Sequence, residues 1–157
     1  MPVFDFDYRT PNLGLHETLL RDGPIIAVEI GVPAALEAWC HSQSIPTPGV
    51  VYGFALIDTG AAVSAVHEGV LTELGIAPID SVPVSTPSGD SDMFVYPARV
   101  SFPGLDVTPH ALSTFAGCQL DWMTPDGKNV VMLLGRDVLA EFLMVYNGKT
   151  GAITVAY

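Results

Sequence analysis

Short apolar runs, rich in β-branched residues and separated by Gly, Pro and polar turn residues, recur along most of the chain, and this spacing predicts strands. Ile25, Ile26, Val28, Ile30 and Val32, with Glu29 the one charge among them, predict a strand ending at Pro33. Residues 50–57 predict a second strand that runs straight into Asp58. Residues 82–86 and 93–102 predict a long hairpin around a polar, glycine-containing tip, and residues 105–115 and 130–134 predict further strands. Asn147-Gly148 predicts the turn of a closing hairpin that ends at residue 157. Helical spacing is confined to short stretches: Ala35, Leu36, Trp39 and Cys40; Val70, Leu71 and Leu74 before Gly75; and Val138, Leu139, Phe142 and Leu143. Residues 42–49 and 116–128 read as loops. Residues 1–22 show no period and read as an N-terminal arm lying over one domain, residues 23–157. The pattern as a whole predicts a mostly β barrel or sandwich with one or two short helices.

Composition narrows the partners. The 157 residues suffice for a single domain, and 49 % hydrophobic residues can fill its core. A net charge of -11 argues against nucleic acid or an anionic membrane as partner, since an acidic surface brings no counter-charge to either. No apolar run reaches membrane-spanning length, and residues 1–7 lack a basic stretch followed by an apolar one, so the expectation is a soluble, cytoplasmic protein. Cys40 and Cys118 are expected as reduced thiols in that compartment. His16, His67 and His110 stand alone and His41 has only Cys40 beside it, so no metal is expected, and with no phosphate-binding Gly-rich loop in the sequence no organic cofactor is expected either.

The chemistry concentrates at Asp58-Thr59-Gly60. A carboxylate placed directly after Phe54-Ala55-Leu56-Ile57 sits where desolvation is costly, so it must be paired, neutralised or used. Two carboxylates sharing one proton can activate a water and protonate a carbonyl oxygen in turn. The other Asp-Gly pairs, Asp22-Gly23 and Asp126-Gly127, lie in polar turns without an apolar strand leading in. A second copy of the chain across a two-fold axis would supply the missing carboxylate.

Ala55-Leu56-Ile57-Asp58-Thr59-Gly60-Ala61 resembles the signature of the retropepsin-like, retroviral-type aspartic proteases. Leu133-Leu134-Gly135-Arg136-Asp137-Val138-Leu139 resembles the later Gly-Arg-Asp/Asn segment of the same family, in the family's order and with a hairpin between the two. The resemblance spans residues 23–157 with apparent insertions near 33–49 and 116–129. It implies an acid-protease barrel with a flap, a homodimer, and hydrolysis of peptide bonds by a water held between two Asp58 carboxylates. It further implies that Thr59 bonds across the dimer axis, that Gly60 admits substrate backbone, that Ala61, Ser88, Gly89 and Asp90 line the substrate, and that Gly135, Arg136 and Asp137 are structural.

Two positions depart from the family pattern. Ala62 stands where retroviral members commonly carry a second Asp that pairs with the Arg of the later motif, and the hairpin tip carries Pro87-Ser88-Gly89-Asp90 in place of a Gly-rich turn. These departures motivate a second reading, a peptide-binding or regulatory dimer that keeps the fold without turnover. A monomeric structural domain is the third.

Overall fold

The computed structural model describes residues 3–6, 12–86, 89–105 and 114–157. Its elements in chain order are β1 (Val3–Phe6), α1 (Leu15–Asp22), β2 (Ile25–Gly31), α2 (Ala34–Ser42), β3 (Val51–Ile57), β4 (Ala65–His67), α3 (Glu68–Glu73), β5 (Asp80–Thr86), β6 (Gly89–Tyr96), β7 (Arg99–Ser101), β8 (Phe115–Cys118), β9 (Trp122–Met123), β10 (Asn129–Leu134), α4 (Arg136–Leu139), β11 (Leu143–Asn147) and β12 (Ala152–Ala156). The architecture is mostly β, with short helices between strands. Among the described residues no helix is long and apolar enough to cross a membrane.

Nine strands form one sheet in the order β5-β6-β8-β4-β10-β3-β2-β7, with β9 paired to β10. The path of these pairings is open. A second, three-stranded sheet has the order β1-β12-β11. The residue pattern explains the placement. β10 lies between β3 and β4, and its Val130, Val131 and Met132 are all buried, as a near-continuous apolar run requires when both faces are covered. At the edge, β5 carries Pro83, whose missing N–H is tolerated where no further strand pairs. Val28 and Ile30 of β2, Ala55 and Ile57 of β3, Phe115 of β8 and Leu134 of β10 meet in a single core, joined by Ile153 and Val155 of the smaller sheet.

One pairing matters most for the site. β10 runs parallel to β3, with Leu133 beside Leu56 and Leu134 beside Ile57. The two strands therefore end side by side, and the residues that follow them, Asp58 and Gly135, emerge together.

Three sequence expectations change. Residues 1–22 contain β1, antiparallel to β12, and α1, whose Leu19 joins the core. The helix left no readable period because two of its three buried residues, Thr18 and Asp22, are polar; Asp22 is held by Arg21 at 2.6 Å. It packs so closely on Gly151 that a Cβ there would stand 2.1 Å from the Leu15 carbonyl carbon. The span 116–128 holds most of β8 and all of β9. Phe115-Ala116-Gly117-Cys118 is poor in β-branched residues and owes its extended form to pairing with β4 on one side and β6 on the other. Trp39 of α2, which helical spacing groups with Cys40, is 53 % exposed, whereas Cys40 is buried. The strand expected over 105–115 falls largely on residues 106–113, which lie outside the described residues, as do Pro87 and Ser88 of the hairpin tip.

Candidate active site

The site is built where β3 and β10 end. The Ile57 N–H donates to the Pro24 carbonyl at 2.8 Å and the Asp58 N–H to the Leu134 carbonyl at 3.0 Å, which fixes the strand up to the carboxylate. Asp58 then turns the chain with its own side chain: Oδ1 accepts the N–H of Gly60 at 2.9 Å and of Ala61 at 3.2 Å. Among the described residues Oδ2 takes no hydrogen bond. Asp58 is half-buried, while Thr59 and Gly60 are exposed. A Cβ on Gly60 would lie 3.0 Å from Asp58 Oδ1, so a side chain at this position would press on the carboxylate.

The later motif closes on this loop from behind. Arg136 Nη1 donates to the carbonyls of Thr59 at 2.7 Å and Gly60 at 2.9 Å. With Ala62 unable to pair with it, the guanidinium has found backbone acceptors. The Arg136 N–H donates to the Ala61 carbonyl at 3.0 Å and the Asp137 N–H to that of Ala62 at 3.3 Å. The Asp137 carboxylate accepts Ser64 N–H at 2.9 Å, Ser64 Oγ at 2.6 Å and Val138 N–H at 2.9 Å. Ser64 Oγ in turn accepts the Gly135 N–H at 2.8 Å. A Cβ on Gly135 would lie 2.7 Å from the Val63 carbonyl carbon and 2.9 Å from Ser64 N, so only glycine allows this approach.

Ile57 and Leu134, the last residues of the two strands, line a small apolar cavity together with Leu139, Phe142, Met144 and Val155, which joins the strand ends to the smaller sheet. What the arrangement offers chemically is a carboxylate with one oxygen anchored by two backbone donors and the other open, on a loop pinned at both ends.

The structure thus brings Asp58, Thr59, Gly60 and Ala61 together with Gly135, Arg136 and Asp137. At the hairpin tip, the pairings seen among the described residues are local. Gly89 pairs with Thr86 across the hairpin, and Asp90 accepts from Ser85 Oγ at 2.6 Å, both within the hairpin itself; Ser88 lies outside the described residues. Ser64 was not singled out by the sequence. Its one signal is a polar residue between Val63 and Ala65-Val66, and it is wholly buried.

Other reactive groups serve elsewhere. Burial pushes the Tyr96 phenol up, with Glu68 adding to the effect through its charge and a 3.4 Å hydrogen bond. The Cys118 thiol is pushed to about 11, first by burial and then by Glu68, so it is protonated at neutral pH. Both cysteines are free thiols. Among the described residues no group of three or more His, Cys, Asp and Glu side chains is placed to hold a metal.

The chain is similar to EIAV protease, solved in complex with the inhibitor HBY-793, with 16 % identity, a TM-score of 0.43 and coverage of 75 % of this chain and 86 % of that one. It is also similar to a retropepsin-like aspartic protease from Rickettsia conorii, with 13 % identity, a TM-score of 0.48 and coverage of 99 % and 92 %. No protein-family model and no curated protein matches the chain.

Proposed function

We propose that this protein is a retropepsin-like aspartic endopeptidase that works as a homodimer, with a water activated between the Asp58 carboxylates of two copies. The observation that carries the reading is the Asp58 carboxylate itself. Oδ1 is held by Gly60 and Ala61, while among the described residues Oδ2 takes no hydrogen bond, directly after the buried Ile57. One carboxylate can hold a water but cannot both accept its proton and supply one to the scissile carbonyl, whereas two sharing a proton can. Thr59 and Gly60 are exposed beside it, which suits contact with a second copy and with substrate backbone. Substrate would lie extended under the hairpin of β5 and β6, with Ala61, Ser88, Gly89 and Asp90 contacting it.

The test is cleavage of an unfolded protein substrate from acidic to neutral pH, with sedimentation run on the same samples. Hydrolysis that is blocked by a pepstatin-type inhibitor and abolished in Asp58→Asn supports the enzyme. Peptide binding without hydrolysis, unchanged in Asp58→Asn, would instead assign a binding dimer, and a monomer at every concentration would remove both.

A further inference from the structure

Arg136 and Asp58 do not touch, yet the same two peptide units connect them. The Thr59 carbonyl that accepts Arg136 Nη1 belongs to the peptide whose N–H, on Gly60, donates to Asp58 Oδ1. The Gly60 carbonyl that accepts Arg136 Nη1 belongs to the next peptide, whose N–H, on Ala61, is shared between the same oxygen and the Asp58 carbonyl, each at 3.2 Å. In a trans peptide the C=O and N–H point in opposite directions, so a cation on the carbonyl side and an anion on the N–H side both align with the dipole. No cis peptide interrupts the loop.

We propose that Arg136 is a positioning residue acting on Asp58 through these two peptides. It strengthens the Gly60 and Ala61 N–H donors and so fixes Oδ1 as the anchored oxygen and Oδ2 as the one that meets water and the shared proton. The role assigned to Oδ2 rests on the protease reading; the relay does not. A peptide hydrogen-bonded at its carbonyl is a better donor at its N–H, by about 10–30 % per bond. Arginine suits the task because its guanidinium stays charged and Nη1 carries two N–H groups in a fixed plane, one for each carbonyl. Gly60 keeps the donor side clear, since a Cβ would crowd Oδ1. Of the other charges near the loop, the Asp137 carboxylate is occupied by Ser64 and Val138, and a dimer adds the Asp58 of the second copy.

The experiment compares the Gly60 and Ala61 amide proton resonances by NMR at one neutral pH in the full-length protein, Arg136→Gln, Arg136→Lys and Asp58→Asn. A strengthened donor resonates downfield, so Arg136→Gln should move both amides upfield together, and Arg136→Lys, a point charge without the fork, should move them less. Asp58→Asn should move the same two amides, since its neutral side chain is a weaker acceptor. Amides that stay in place in Arg136→Gln overturn the relay; if that variant fails to fold, unmoved amides in Arg136→Lys overturn it. For turnover, Arg136→Gln should lower kcat by about tenfold or more with KM changed less than about twofold. A wild-type chain whose two amides answer to Arg136→Gln but which hydrolyses nothing leaves the relay standing and removes the protease reading.

Discussion

Ser64 and Asp137 hold each other twice, through the Ser64 N–H at 2.9 Å and its hydroxyl at 2.6 Å, and so tie the chain after the Asp58 loop to the first turn of α4. Ser64→Ala would orphan the Gly135 N–H and remove one donor from a half-buried carboxylate. The expected loss is about 1–3 kcal/mol, read as a lower urea midpoint with an unchanged slope. An unaltered midpoint would show that the pairing contributes nothing to the fold.

Gly135→Ala places a methyl against backbone, the Val63 carbonyl carbon at 2.7 Å and its oxygen at 2.8 Å, with no flexible side chain to give way. Separation of the two loops should cost about 1–3 kcal/mol as in other overpacked sites, and activity should fall with it. Thermal melting and a cleavage assay on the same preparation test both halves of this expectation.

Cys118 sets a pH dependence with a definite sign. Its thiol titrates at about 11 in the folded chain against an ordinary 9.0, so from about 9 upward the unfolded chain loses a proton that the folded chain keeps. This contribution to stability is fully present below the ordinary value and is lost as pH rises through the folded one. Cys118→Ser should flatten the alkaline fall in stability, and iodoacetamide at pH near 8 should modify the unfolded chain much faster than the folded one.

The N-terminal strand makes a further test. Phe4 stacks on Tyr157 with ring centroids 5.9 Å apart, and Tyr157 meets Phe142 edge-on at 6.1 Å, which links β1 to the apolar cavity that Phe142 lines with Ile57 and Leu134. Phe4→Ala should destabilise by about 1–3 kcal/mol, and deletion of residues 1–6 should cost more because β12 also loses one of its two partner strands. Equal stability of the deleted and full-length chains would show that this segment contributes nothing to the fold.

Much of this site was legible because its parts fall where parallel neighbours end. Asp58 and Gly135 each follow an apolar strand, and register alone then brings the two motifs together. The partner of Arg136 was not legible, because backbone carbonyls leave no mark in a sequence that shows only Ala62 where an acid was wanted. Ser64 was hidden for a related reason: a single hydroxyl in an apolar run looks like an ordinary strand residue until Gly135 and Asp137 meet it. In the fold, α1 escaped notice through the polar Thr18 and Asp22 on its buried face. β8 escaped because Ala116 and Gly117 take extended form from neighbours far away in sequence. Long apolar runs announced themselves; short elements stabilised by tertiary pairing did not.

The central claim is that one active site needs two Asp58 carboxylates, and subunit mixing tests it most directly. Wild-type and Asp58→Asn chains are combined in equal amounts, allowed to exchange, and compared with an all-wild-type sample in which the total chain concentration is the same. If mixed dimers are inactive, random pairing leaves about one quarter of the rate. A rate of about one half would mean that each chain carries a complete site, and would contradict the shared dyad.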